Sequence, residues 1–187
     1  MSIKNQTYLT MTVVLFAATA VVVVIIYWTN MKQAIKGAIT KNYFSDSELK
    51  YSTTAKKLGL NNEPTKEAWE NLYALRDNIL NPSRELYGSC VYVNCAYRSP
   101  EVNAAVGGEE SSQHKTGQAA DITTKSIDGN RRLFATLATM PFDQLIWEKG
   151  GQWIHVSYDP SRNRRVILSW NGSSYKNITG NWQSAIA

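Results

Sequence analysis

Residues 143–157 read Asp143-Gln144-Leu145-Ile146-Trp147-Glu148-Lys149-Gly150-Gly151-Gln152-Trp153-Ile154-His155-Val156-Ser157. Two runs rich in Ile, Leu, Val and Trp flank a Gly-Gly pair, the pattern of two strands joined by a tight turn. If Gly150-Gly151 form a two-residue turn, Lys149 faces Gln152, Glu148 faces Trp153, Trp147 faces Ile154 and Ile146 faces His155. Alternation then puts Ile146, Glu148, Trp153 and His155 on one face of the hairpin. Glu148 becomes a diagonal neighbour of His155, roughly 7–8 Å away by Cα, and from there a carboxylate can reach a water on a metal held by that histidine. A turn of another length would shift the register and move Glu148 to the other face.

Upstream, the elements are mostly helical. Ser45-Asp46-Ser47-Glu48 carries cap-type residues, and Ser52 through Leu58 reads as a short helix stopped by Gly59. Thr65 caps the strongest helix, with Trp69, Leu72, Tyr73, Leu75, Ile79 and Leu80 at helical spacing, and Asn81-Pro82 is expected to end or kink it. Cys90 to Ala96 reads as a strand, Glu101 to Val106 as one helical turn, Ala119 to Thr123 as a strand and Asn130 to Thr139 as a helix. Strands over Asp143–Glu148, Trp153–Tyr158 and Val166–Trp170 complete the pattern, followed by a polar tail. Helices first and mainly antiparallel strands after them predict an α+β fold, with N-terminal helices packed on a small sheet.

The chain has only two histidines. His114 lies in Ser112-Gln113-His114-Lys115-Thr116-Gly117-Gln118-Ala119-Ala120-Asp121, with a carboxylate seven positions on, and His155 lies in the last strand of the hairpin. Two imidazoles and one carboxylate make a three-ligand set. Catalytic zinc commonly takes three N/O protein ligands and keeps a fourth position open, whereas structural zinc is closed by four ligands rich in cysteine.

Cys90 and Cys95 are the only cysteines. In an extended strand their Cα atoms would lie about 16 Å apart, well beyond the ~7 Å limit for a disulfide, so two free thiols are expected. Neither has a neighbouring sequence cue for activation as a nucleophile.

From Tyr8 to Trp28 there is no charged residue. That run is long enough to cross a ~30 Å hydrocarbon core as a helix, and Tyr8, Tyr27 and Trp28 suit the two interfaces. A cleaved signal peptide would have a shorter apolar core and small residues marking a cleavage site, where Tyr27 to Met31 stand instead. The expected organisation is one transmembrane anchor in residues 1–30, a basic linker helix in 31–42 and a catalytic domain in 43–187. Lys32, Lys36 and Lys41 outnumber Lys4 across the span and mildly favour a cytoplasmic domain. A net charge of +5 permits attraction to anionic surfaces, but no basic block or aromatic-interleaved motif points to nucleic acid. Gly107-Gly108 lacks the Lys and Ser/Thr of a phosphate loop.

The motif Ser112-x-His114-x-x-Gly117-x-Ala119-x-Asp121, followed by Trp153-Ile154-His155-Val156-Ser157, resembles the zinc D-Ala-D-Ala carboxypeptidase family, which also includes phage L-alanyl-D-glutamate endopeptidases. Phe44, Glu48, Ser52, Ala55, Leu58-Gly59, Asn62 and Pro64 extend the likeness. So do Tyr97-Arg98-Ser99-Pro100 with Asn103, Gly107-Gly108 and Phe142-Asp143-Gln144-Leu145-Ile146, and together they cover roughly Tyr43 to Trp170.

The resemblance implies that His114, Asp121 and His155 bind zinc, and that Arg98 holds substrate or the developing oxyanion. It also places Ser112 and Gln113 at the substrate side of the motif, and Trp153 is added to them as a substrate contact. Many relatives carry an acid three residues before the last histidine, where this chain has Gln152. Glu148 is therefore the expected general base, with Asp143 in reserve.

The function so implied is a membrane-tethered zinc peptidase acting as a monomer on peptidoglycan stem peptides in the periplasm or cell wall. It would be a phage lysis enzyme or a cell-wall remodeller. The alternative is a non-catalytic wall-binding module that keeps the metal site.

Overall fold

The computed structural model describes residues 41–187, and the expected anchor at Tyr8–Trp28 and nearly all of the linker lie outside them. Among the described residues no helix is long and apolar enough to cross a membrane. The helices come first. α1 spans Asp46–Lys50, and Ser45 and Glu48 form a reciprocal capping box at its start. α2 spans Thr53–Leu58, capped by Ser52 and ended by Gly59 in the left-handed conformation.

α3, Lys66–Leu75, opens on the Thr65 cap as its sequence predicts. It does not end at Asn81-Pro82. A π-helical turn, Arg76–Leu80, carries the chain directly into α4, Asn81–Tyr87, which stops at left-handed Gly88. In that turn the Asn81 amide bonds to Arg76 O, five residues back. The wider turn lets the helical path accommodate the proline near the start of α4, where its missing N–H does least harm.

β1 spans Tyr92–Cys95 and α5 spans Pro100–Ala105. β2, Ala119–Thr123, and β5, Val166–Trp170, have the expected bounds. α6 is Ile127–Leu137, starting three residues before its expected start because Ser126 caps it. β3 is Gln144–Glu148 and β4 is Trp153–Ser157. The polar tail forms a further strand, β6 (Tyr175–Asn177), and a short helix, α7 (Trp182–Ala185), which the sequence pattern did not show.

The strands form one six-stranded mixed sheet in the order β1-β2-β4-β3-β5-β6. Every pairing is antiparallel except β3 with β5. Ala120, Ile122, Leu145, Trp147, Ile154 and Val156 are all at most 5% exposed and belong to the core that Leu133, Phe134 and Leu137 of α6 share. Phe134 meets Trp147 edge to face at 5.5 Å. Alternation leaves the other face of the sheet to Asp121, His155, Ile146 and Glu148.

The hairpin register is the expected one: Glu148 pairs with Trp153 and Ile146 with His155. The turn itself is longer. Lys149 and Gln152 do not pair in the ladder, because both Gly151 N and Gln152 N donate to Glu148 O, leaving a four-residue loop. An even change in loop length preserves facing, so Glu148 stays with His155. Lys149, Gly150 and Gly151 all take positive φ, and the buried Asn130 amide ties Gly151 O and Gln152 O to the end of β2.

Candidate active site

Three segments deliver the polar side chains. Asp121 and His155 are direct partners across β2 and β4. His114 comes from the turns preceding β2, which Asn103 pins by donating to Gly108 O and Glu109 O. Arg98 sits between β1 and α5, where Asn62 bonds to Tyr97 O and to Ser99 N. The Arg98 amide donates to His114 O, which joins the second and third segments.

Gly117 lets the His114 segment lie on α3. Its φ is +74°, and a Cβ there would stand 2.3 Å from Ala68 O. Gly117→Ala is expected to destabilise the domain by about 1–3 kcal/mol through strain and overpacking, read as a lower urea midpoint with an unchanged slope.

The three sequence-predicted ligands converge. His114 Nε2 lies 3.2 Å from His155 Nδ1 and 3.4 Å from Asp121 Oδ1, and His155 Nδ1 lies 3.0 Å from the same oxygen. A tetrahedral ion about 2.0–2.1 Å from each donor requires donor–donor edges of about 3.3 Å. The donor set therefore fits zinc in both chemistry and spacing.

The outer partners support it. His114 Nδ1 lies 2.6 Å from Ala96 O, so in the neutral ring that a metal requires, donation there leaves the Nε2 lone pair to face the other two donors. Arg98 Nη2 holds Asp121 Oδ2 at 3.0 Å, leaving Oδ1 toward the histidines.

A second trio, Cys95, His114 and Asp121, also brings one donor atom from each residue within 4.8 Å. Cys95 Sγ, however, lies 4.0 Å from His114 Nδ1, the nitrogen already committed to Ala96 O. The set with His155 is the tighter one and uses the uncommitted nitrogen. Both cysteines are free thiols. Cys95 Sγ accepts from Arg98 Nε at 3.1 Å, a contact that the sequence carried no cue for. Cys95 and Asp121 are partners in the β1–β2 ladder across an irregularity between Val93 and Cys95, and strand pairing of that kind leaves no local sequence signal.

Electrostatics divide the site. Burial disfavours charge on His114, but the adjacent Asp121 carboxylate overrides it and lifts the imidazole pKa to about 10. Burial also works against Asp121, yet His114 and His155 hold its carboxyl well below the usual range. Burial pushes the His155 imidazole down. Glu148 is only 7% exposed, and burial followed by the Asp121 charge raises its carboxyl to about 7. Strand register sets Glu148 on the same face as His155 and Asp121, two residues along β3 from Ile146, which pairs with His155.

Asp143, the reserve base, serves another purpose. It is fully buried, is held by Arg164 through Nε and Nη2 at 2.7 and 2.5 Å, and accepts from Gln113 Nε2 at 3.0 Å. Burial opposes its ionisation, but Arg164 keeps its carboxyl below the ordinary value. Gln113 thereby spends its amide donor on Asp143, while its Oε1 has no partner among the described residues. Ser112 lies in the turn before His114, where its carbonyl accepts from Lys115 N. Trp153 stands opposite Glu148, with Lys149 Nζ 5.4 Å from its ring centre. Gln152 is exposed in the turn.

No curated protein matches the chain. A family model described as Peptidase M15 matches residues 42–157, a segment that begins just before α1 and ends with β4. It takes in Arg98, His114, Asp121, Glu148 and His155, and it covers more than half of the chain. The chain therefore belongs to the M15 peptidases, zinc-dependent metallopeptidases.

Proposed function

We propose that the domain hydrolyses an amide bond in the stem peptide of peptidoglycan, with His114, Asp121 and His155 holding zinc. The observation that carries this reading is the convergence of His114 Nε2, His155 Nδ1 and Asp121 Oδ1 within 3.4 Å of one another, beside a buried Glu148 whose carboxyl is poised at about 7. When bound, zinc supplies Lewis acidity that makes water nucleophilic near neutral pH.

The chain's own residues do the rest. Glu148 accepts a proton from the attacking water and delivers it to the leaving amine nitrogen, a transfer favoured by a pKa near the working pH. Arg98 orients Asp121 through Nη2, and its fixed charge favours the oxyanion that develops on the substrate carbonyl. Asp143, held by Arg164, braces Gln113 next to His114 in the chain. The products are a carboxylate and an amine, and no covalent enzyme intermediate forms.

Gln152 favours the rival reading of a non-catalytic, wall-binding module, because it replaces the acid found in many relatives. Glu148 answers it, as a buried acid on the same face as His155. Purified peptidoglycan incubated with the zinc-loaded protein is expected to release new amino groups, and mass spectrometry of the products identifies the bond. Stoichiometric zinc with no released amines would establish the rival.

We further propose that residues 1–30 tether the enzyme to a membrane and that the domain acts on the wall side. It would reach the wall either when the anchor is released or when another protein opens the membrane. Protease access to the domain in intact spheroplasts tests this placement, and protection throughout growth and lysis would exclude anchor release.

A further inference from the structure

The strands beyond the family match extend the face that carries the converging donors. Strand register sets Trp153, Glu148, Trp170 and Tyr175 in one row across β4, β3, β5 and β6. Asp121, His155, Ile146, Leu168 and Asn177 form the next row on the same face. Laterally paired residues point to the same side of a sheet. Trp170 and Tyr175 therefore continue outward from Glu148 in the plane of the site.

Tyr175 is 54% exposed on the edge strand. Its ring lies 4.4 Å from that of Trp170, tilted by 36°. Burial raises the Tyr175 hydroxyl pKa, and Glu148, Glu109 and Asp121 raise it further. A tilted aromatic pair, half-buried at Trp170 and exposed at Tyr175, retains apolar surface for something to cover.

The surroundings define the occupant. Asn171, Ser173 and Ser174 are exposed in the turn that joins the two strands, and Asn177 is exposed two residues along β6 on the same face, giving apolar faces rimmed by amide and hydroxyl groups. That combination suits a pyranose, whose axial C–H groups lie on an aromatic face while its equatorial hydroxyl and acetamido groups reach the rim. Stem-peptide side chains are small or charged and offer no such flat face.

We propose that Trp170 and Tyr175, in the same row as Glu148, form a saccharide subsite for an N-acetylated aminosugar of the glycan strand. The proposal rests on the peptidoglycan reading above and narrows it. Two strand spacings separate Glu148 from Tyr175, about 9.5 Å. An extended peptide advances about 3.3–3.6 Å per residue, so the subsite suits cleavage within about three residues of the sugar. A terminal D-Ala-D-Ala bond, four residues out, lies too far away.

The test titrates the full chain, in detergent, with the tetramer of N-acetylglucosamine while following tryptophan fluorescence. The wild-type protein is expected to show a saturable change. Tyr175→Ala should weaken the interaction roughly tenfold and Tyr175→Phe far less, since the ring and not the hydroxyl carries the stacking. In parallel, the ratio of kcat/KM for a sugar-bearing muropeptide to that for the same peptide without sugar should fall by a similar factor in Tyr175→Ala. No saturable response in the wild type, or Tyr175→Ala binding like wild type, would overturn the subsite even if the peptide is hydrolysed. Saccharide binding without any hydrolysis would leave the subsite standing and defeat the peptidase reading instead.

Discussion

His155→Ala is expected to leave the protein without stably bound zinc and its hydrolytic activity at background. Apparent zinc binding energies of about 10–16 kcal/mol spread over four ligands imply about 3–4 kcal/mol per ligand, or roughly 10²–10³-fold in affinity. His155 Nδ1 lies 3.0 Å from Asp121 Oδ1, closer than His114 Nε2 at 3.4 Å, so its loss removes the tightest edge of the donor set. Metal content after dialysis and competition with a chromophoric chelator measure the loss. Cys95→Ser should keep full zinc stoichiometry, because its sulfur faces the nitrogen of His114 that Ala96 O occupies.

Metal uptake should also depend on pH. With its pKa lifted to about 10, His114 is protonated at neutral pH in the metal-free protein, and that proton must leave when Nε2 becomes a ligand. Affinity is then expected to rise about tenfold per pH unit through neutrality. Calorimetry in buffers of different ionisation enthalpy would count the released proton.

Glu148→Gln separates chemistry from metal binding. The substitution keeps the size and position of the side chain but removes its ability to accept a proton. Zinc content should be unchanged while kcat falls by about 10²–10⁴ and KM moves little. In the wild type the acid limb of kcat/KM should follow Glu148. Its carboxyl titrates at about 7 without metal, and a cation nearby favours the charged form, so the limb lies at or below that value. Activity rises with pH as the carboxylate forms. A Glu148→Gln variant with wild-type kcat would pass the base role to another group.

The site was legible in the sequence wherever local pattern settles geometry. Alternation about Gly150-Gly151 put Glu148 and His155 on one face, and the structure keeps that face although the turn has four residues instead of two. Caps at Ser45, Ser52 and Thr65 marked helix starts. What escaped depends on long-range pairing or on competition between local rules.

Pro82 signals a helix end, but a π-helical turn carries the helix past it. Cys95 reached Arg98 and the edge of the site through a β1–β2 pairing that no short motif encodes. Asp143 resembled a spare acid until Arg164, from a loop of unpatterned sequence, closed around it. β6 is three exposed residues long, too short and too polar to announce itself by alternation, so the Trp170–Tyr175 pair was invisible before folding.

X-ray absorption at the zinc edge of the loaded full-length protein reads the identity of the metal's ligands without intermediaries. Ligation by His114, Asp121 and His155 gives a first shell of nitrogen and oxygen alone at about 2.0–2.1 Å, with imidazole scattering from two histidines and no sulfur. A sulfur shell at about 2.3 Å, the distance of a zinc–thiolate bond, would put Cys95 in the place of His155 and contradict it.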